Sequence, residues 1–339
     1  MALEQILDSP VHDGKTSTSN QLVDTFGRAH DYLRISLTDK CNLRCSYCMP
    51  EEKIISTPSA KLMKAEEIFQ IASVFSNLGI QKIRLTGGEP LVRKDAGHII
   101  RALGTLRVQL NISTNATLVD GFIDDFLLAG IKSVNVSLDT FQEQKFEKLT
   151  RRTNLGKILS NIDLLLQYPF DIKINVVLMR GVNDDEIHDF VAYTRDHKVD
   201  VRFIEFMPFP GNGWDKDKVF SCHQILETIE TRYAFDKLED DVHSTSRNYR
   251  VSGHLGTFGV ISTVTQPFCG DCNRLRLTAD GKMKNCLFSK GEIDLLSAFR
   301  RGEDILPFIL ESVRGKKKEL GGQTMYAPTE NRTMISIGG

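Results

Sequence analysis

Six of the seven cysteines in this chain fall into two triplets. Cys41, Cys45 and Cys48 spell CxxxCxxC, and Cys269 and Cys272 spell CxxC with Cys286 fourteen positions further on. A cubane iron–sulfur cluster uses four thiolates. Three leave one iron open, and an open metal position is where an exogenous molecule binds and chemistry occurs. The blander reading is structural zinc, which needs a fourth ligand, and no further Cys or His occurs between Thr38 and Ala60. At the second triplet zinc stays a rival, because CxxC knuckles are common zinc ligands. Cys222 stands alone and reads as a small buried side chain.

Cations form the second chemical pattern. Arg274 and Arg276 follow Cys272 closely, and their alternation puts both guanidinium groups on one side of an extended segment, a geometry suited to gripping an anion. Arg34, Lys82, Arg84, Lys173 and Arg202 fall on the polar parity of segments that read as strands. In a chain of net charge -1 no general basic field attracts nucleic acid or anionic lipid. Inward cations without a guest would be costly, so a polyanionic small substrate such as a nucleoside triphosphate is expected. Neither GxxxxGK[ST] nor GxGxxG is present, so side chains rather than a glycine cradle would hold the phosphates. Gly87-Gly88-Glu89-Pro90 follows a strand directly, and paired glycines let backbone approach a ligand without Cβ interference.

Six segments must position these groups. Leu33, Ile35 and Leu37 alternate with Arg34, Ser36 and Thr38; Ile83 and Leu85 with Lys82, Arg84 and Thr86; Leu110 and Ile112 with Gln109, Asn111 and Ser113. The pattern repeats at Val134, Val136 and Leu138 against Asn135, Ser137 and Asp139, at 172–176, and at 199–203, then fails at Ile204, where the sixth strand is expected to bulge or end. Parallel strands covered on both faces read as continuous apolar runs. One apolar parity instead predicts an incomplete (β/α)6 barrel, helices outside and a polar lumen inside. Helices are expected over Ala65–Leu78, Asp120–Ala129 and Asn183–Asp196, between strands. Residues 1–25 read as a flexible arm, 26–210 as the partial barrel, 211–330 as a C-terminal extension carrying the second iron–sulfur site, and 331–339 as a tail ending in Gly338-Gly339. No run approaches the ~20 apolar residues of a membrane span. The N-terminus lacks a secretory pattern, and sparse clustered cysteines suit reducing cytosol, so a cytoplasmic location is expected.

CxxxCxxC after strand one, with Tyr47 before the last cysteine, resembles the radical S-adenosylmethionine (SAM) superfamily, and GGEP after strand two strengthens the likeness. Within it the chain closely resembles the GTP 3',8-cyclase family, which begins molybdenum cofactor biosynthesis. The likeness runs from about Leu22 to the end through DTFGR, YLRISLTDKCNLRCSYCMP, IRLTGGEPLVR, STNATL, VNVSLD, VNDDEI, RFIEFMP, the second triplet and the terminal Gly-Gly.

The resemblance implies two [4Fe-4S] clusters and SAM as cofactors. Cys41, Cys45 and Cys48 would hold the SAM-cleaving cluster, with Tyr47, Gly88, Ser137 and Met207 contacting SAM. Cys269, Cys272 and Cys286 would hold an auxiliary cluster whose open iron takes the guanine of GTP. Arg34, Arg84, Ser113, Lys173, Arg274 and Arg276 would bind GTP, with Lys82 and Arg202 as further phosphate contacts. The family often has Thr where Ser113 stands, and the hydroxyl survives. A 5'-deoxyadenosyl radical would take hydrogen from ribose C3', and addition to guanine C8 would give (8S)-3',8-cyclo-7,8-dihydroguanosine 5'-triphosphate. Arg274 and Arg276 would position the substrate and stabilise charge at ring closure, and the Gly-Gly tail would reach into the site. Partners would be GTP, an electron donor and the next enzyme of the pathway, with the chain a monomer or homodimer and neither nucleic acid nor membrane involved. The rivals are a peptide-modifying radical SAM enzyme with an auxiliary cluster and a zinc-stabilised nucleotide-binding scaffold.

Overall fold

The computed structural model describes residues 21–49, 57–324 and 331–338. Most of the expected N-terminal arm, residues 1–20, and the terminal Gly339 lie outside the described residues. Packed structure begins inside the stretch read as an arm, because Leu22 and Asp24 are already buried.

Alternating strands and helices run β1 (Tyr32–Ser36), α1 (Ala65–Asn77), β2 (Lys82–Thr86), α2 (Ala96–Gly104), β3 (Gln109–Thr114), α3 (Ile123–Leu128), β4 (Ser133–Ser137), α4 (Glu143–Thr150), α5 (Leu155–Leu165), β5 (Asp171–Leu178), α6 (Ile187–Asp196) and β6 (Val199–Glu205). The apolar parity is fully buried: Leu33, Ile35, Ile83, Leu85, Ile112, Val134, Val136, Ile174, Val201 and Phe203 are closed to solvent. Their packing partners are the apolar stripes of the helices, such as Ile68, Ile71 and Phe75 of α1, each contributing about 2 kcal/mol by leaving water. Gly79 and Gly130 end α1 and α3 in the left-handed conformation that glycine adopts without Cβ strain. Two helices start later than the sequence suggests. The Asp120 and Asn183 segments each open with a 3-10 turn, and α3 and α6 follow it.

The chain continues with α7 (Cys222–Glu230), β7 (Phe235–Lys237), β8 (Arg247–Val251), β9 (Thr257–Ile261), β10 (Arg274–Leu277), β11 (Lys282–Lys284), β12 (Ile293–Asp294), α8 (Leu295–Arg300), α9 (Leu306–Arg314) and α10 (Met334–Ile337). These late strands join the first sheet. The order is β12-β11-β10-β1-β2-β3-β4-β5-β6-β9-β8-β7, with β10 parallel to β1 and β9 parallel to β6. Among the described residues the six expected strands, β1 to β6, lie side by side, and the C-terminal extension adds one parallel strand at each edge, β10 and β9, flanked by antiparallel hairpin strands that leave the barrel open.

Strand six neither bulges nor stops early. It pairs in unbroken register from Val199 to Glu205 with β5. Ile204 faces the lumen as an apolar wall residue, and Glu205 points to the outer side. There its buried carboxylate accepts from the amides of Cys222, Val264 and Thr265. Cys222 is buried at the start of α7. No helix among the described residues is long and apolar enough to cross a membrane.

Candidate active site

All six clustered cysteines and every candidate SAM or GTP contact named above line one cavity of about 470 Å³ on the polar face of the sheet, whereas Gly338 does not line it and Gly339 lies outside the described residues. The first triplet lies in the loop after β1. That loop is pinned from two sides: Arg44 N–H and Ser46 N–H donate to Thr150 O and Leu149 O at the end of α4, and Gly88 N–H and Glu89 N–H donate to Thr38 O (2.7 Å) and Lys40 O (2.8 Å). The glycine pair is explained by this second contact. A Cβ on Gly88 would sit 2.4 Å from Lys40 O, and one on Gly87 would sit 2.7 Å from Thr38 O. The backbone that needs the missing Cβ is therefore the chain's own, directly before Cys41, although Gly88 also faces the cavity. Glu89 is completely buried and ties the ends of β2 and β3 by accepting from Asn115 N–H (2.6 Å) and Thr114 Oγ1 (2.8 Å).

Burial pushes the Cys41 thiol up to about 11, the Cys48 thiol up to about 12 and Cys45 well above its usual range. With no metal cation beside them such buried thiols stay protonated, and a metal centre would take them as thiolates. Tyr47 stands among them with its hydroxyl donated to Asp139 Oδ2 (2.7 Å), while Asp139 Oδ1 accepts from Val177 N–H (2.8 Å). Burial raises the Asp139 carboxyl to about 6.

The second triplet is built by the turn before β10 and by Cys286 after β11. Leu320 N–H donates to Cys269 Sγ (3.4 Å) and Lys316 Nζ to Cys272 Sγ (3.5 Å). Burial alone would raise the Cys272 thiol, but Arg274 and Lys316 outweigh it and hold it down to about 6. Among the described residues, no three His, Cys, Asp or Glu side chains are close enough to share one metal ion. Each triplet offers three of the four thiolates that a [4Fe-4S] cluster takes, and none of the six cysteines is in a disulfide.

Between the triplets lies the cationic face. In register across three strands, Arg276 stands beside Arg34 and Arg34 beside Arg84, while Arg274 neighbours Tyr32 and Tyr32 neighbours Lys82. Adjacent strands are about 4.8 Å apart, so these charges are crowded. Burial lowers Arg34 to about 9, with Arg276 next in effect, and burial together with Arg202 lowers Lys173 to about 8. Tyr32 is drawn down to about 8, because Arg84 and Arg34 outweigh the burial that would raise it. Arg276 Nε, Asn135 Oδ1 and Asn175 Oδ1 are buried without a hydrogen-bond partner in a cavity they line. Arg202 is less available than expected, since its Nε is paired with Asp200 Oδ2 at 2.6 Å. Arg274 packs its guanidinium over Phe268, 4.8 Å from the ring centre.

The tail closes one side. Met334 and Ile335 line the cavity, and the Ile335 backbone amide favours the Cys48 thiolate slightly, against the burial that raises it. Gly338 adopts φ +90°, and a Cβ there would lie 2.6 Å from Ser36 Cβ, at the ends of β1 and β2. Arg332 anchors the tail by a forked pair with Asp280 (2.9 Å twice) and a bond to Glu292 (2.7 Å).

Sequence reasoning missed several lining residues. Tyr32, Asn135, Asn175 and Asp139 carried the signal in their polar strand parity. The 241–245 loop, Thr263 and Phe268 carried none, and neither did Lys316, which reaches Cys272 without lining the cavity.

The chain matches the model of the radical SAM superfamily over residues 35–194 and that of Molybdenum Cofactor Synthesis C over residues 199–321. It is 42% identical to the mitochondrial GTP 3',8-cyclase of Arabidopsis thaliana, covering 99% of this chain and 86% of that protein. It is 44% identical to the GTP 3',8-cyclase of Peptoclostridium acidaminophilum, covering 88% of this chain and 93% of that one. The human molybdenum cofactor biosynthesis protein 1 is 41% identical over 93% of this chain, which spans about half (51%) of that longer protein. Among solved structures, Streptococcus suis SuiB bound to precursor peptide SuiA superposes with a TM-score of 0.62 at 15% identity, covering 91% of this chain and 70% of that one. That likeness is one of fold.

Proposed function

This chain belongs to the GTP 3',8-cyclase family of the radical SAM superfamily, and from that premise we propose that it cyclises GTP to (8S)-3',8-cyclo-7,8-dihydroguanosine 5'-triphosphate, the first step of molybdenum cofactor biosynthesis. The observation that carries the reading is the convergence of two cysteine triplets and a crowded cationic face on one cavity.

Cys41, Cys45 and Cys48 would hold one [4Fe-4S] cluster, with SAM at its open iron contacted by Tyr47, Gly88, Ser137 and Met207. Cys269, Cys272 and Cys286 would hold the second, which would offer a binding position for the guanine. When bound, the first cluster with SAM supplies the one-electron cleavage from which hydrogen abstraction starts. The protein's part is placement. Arg34, Arg84, Lys82 and Lys173 neutralise the triphosphate, and the anion in turn offsets the burial and, after it, the repulsion that lower Arg34 and Lys173. Ser113 offers a hydroxyl from β3, and Arg202, already paired with Asp200, is a secondary contact. Arg274 and Arg276 sit in β10 next to the second triplet, placed to hold substrate against it and to stabilise charge that develops as C3' joins C8. Asp139 fixes the Tyr47 hydroxyl, and the tail at Met334–Ile335 keeps water from the first triplet.

Residues 26–210 would thus serve SAM cleavage and 211–330 substrate capture. An electron donor and the next pathway enzyme are partners of this reading, in a reducing compartment such as the cytoplasm. The test is anaerobic reconstitution with iron and sulfide, then incubation with SAM, dithionite and GTP. Formation of 5'-deoxyadenosine that depends on GTP is expected, and equal amounts with GTP, ATP or no nucleotide would refute the substrate.

A further inference from the structure

The N-terminal loop around Arg28 reaches the second triplet, although nothing in the proposed reaction uses it. The loop is closed by a bridge between Val23 and Ala29. Buried Asp24 is its hub: the carboxylate accepts from Phe26 N–H (2.9 Å), Arg28 N–H (3.0 Å) and Arg28 Nε (2.6 Å), and lies 3.2 Å from His30 Nε2. The Arg28 side chain is only 8% exposed. Held this way, its Nη1 donates to Cys269 O (2.8 Å) and Lys318 O (2.7 Å), and its Nη2 donates to Lys317 O (2.8 Å). The segment those lysines belong to grips the same cysteines, through Lys316 Nζ on Cys272 Sγ and on Arg274 O (2.9 Å) and through Leu320 N–H on Cys269 Sγ. One planar cation therefore joins the N-terminal loop, the Cys269–Cys272 turn and the 316–320 segment.

We propose that the Asp24–Arg28 pair is a positioning device for the second cysteine triplet, fixing the Cys269–Cys272 turn against the 316–320 segment in the conformation that presents its sulfurs to their metal group. The inference rests on the proposed second cluster. Three of the guanidinium's bonds end on carbonyls of two segments lying in different directions, with Nε reserved for Asp24, a pattern that needs a rigid planar fork. A lysine at this position offers one compact ammonium and cannot span the three segments. Asp24 contributes indirectly, by setting the plane and angle of the fork, so Asp24→Asn loosens the same turn more weakly.

The experiment uses the full chain carrying Arg28→Gln, Arg28→Lys or Asp24→Asn, metal-free and after reconstitution. In metal-free Arg28→Gln, amide hydrogen exchange is expected to quicken about tenfold at 268–273 and 316–320, with β2 to β5 unchanged. After reconstitution the iron content should fall from about eight to about four per chain, with the SAM-responsive electron paramagnetic resonance signal of the first cluster retained. Arg28→Lys should behave like Arg28→Gln, and full rescue by lysine would overturn the inference. Unchanged exchange at both segments would overturn it, as would acceleration throughout the barrel, which marks a general folding role. A parent protein with only four irons would sink the second-cluster reading instead, and the exchange arm alone would then decide the positioning claim.

Discussion

Gly88→Ala puts the close approach of two backbones to a quantitative test. The added Cβ would lie 2.4 Å from Lys40 O and 2.7 Å from Lys40 C, so Thr38–Lys40 must retreat by at least 0.6 Å to reach even the 3.0 Å that real Cβ atoms respect. Overpacking of this kind costs about 1–3 kcal/mol. The retreat also strains the bonds from Gly88 N–H to Thr38 O and Glu89 N–H to Lys40 O, each worth about 1 kcal/mol. The sum is about 3–5 kcal/mol, or about 4–7 °C in melting temperature for a chain of this size. Cys41 follows Lys40 directly, so the same displacement should move one corner of the first triplet and lower its iron uptake while the second triplet keeps its own. Thermal melting of the metal-free protein and iron analysis after reconstitution measure both effects. Gly156→Ala is the control: it lies in α5 with open space around its Cβ position and should melt no lower than the parent. A Gly88→Ala protein that melts within 1 °C of the parent and takes up the same iron would refute the reasoning.

Three further outcomes follow from the cavity. Lys173, lowered to about 8, should regain its proton when a triphosphate arrives, so affinity should fall as pH rises through 8, by at most about tenfold per pH unit, with proton uptake visible by calorimetry in buffers of different ionisation enthalpy; a flat profile from pH 7 to 9 would contradict this. Arg274→Ala with Arg276→Ala should abolish GTP binding while both clusters persist, and loss of a cluster would make these arginines structural. Arg332→Gln should free the tail, quickening amide exchange at 331–338 at least tenfold with the barrel strands unaffected, because it leaves Asp280 and Glu292 without their shared cation; unchanged exchange would show that the anchor lies elsewhere.

The strand parity made most of the barrel legible, because a sheet covered on one face imposes a period of two that propensity does not blur. That rule put Arg34, Arg84 and Lys173 on the lumen face, where they line the cavity. It failed at Ile204, where the polar lumen tolerates an apolar wall residue, and at Glu205, whose partners come from Cys222 and the 264–265 turn. The Arg274–Arg276 alternation marked β10 as extended, but the entry of β9 and β10 into the barrel was invisible for a related reason: each is short and its pairing is with β6 or β1, far away in sequence, so no local pattern encodes it. Gly87 and Gly88 were legible as a close approach but not as to what approaches. Arg28 and Lys316 carried no periodic signal, since each works through contacts made by the loops that happen to meet there.

The account stands on two iron–sulfur sites sharing one cavity, and iron per chain after anaerobic reconstitution tests that most directly. It predicts about eight irons in the parent and about four in each of Cys45→Ala and Cys272→Ala. Four irons in the parent, unchanged by Cys272→Ala, would contradict it.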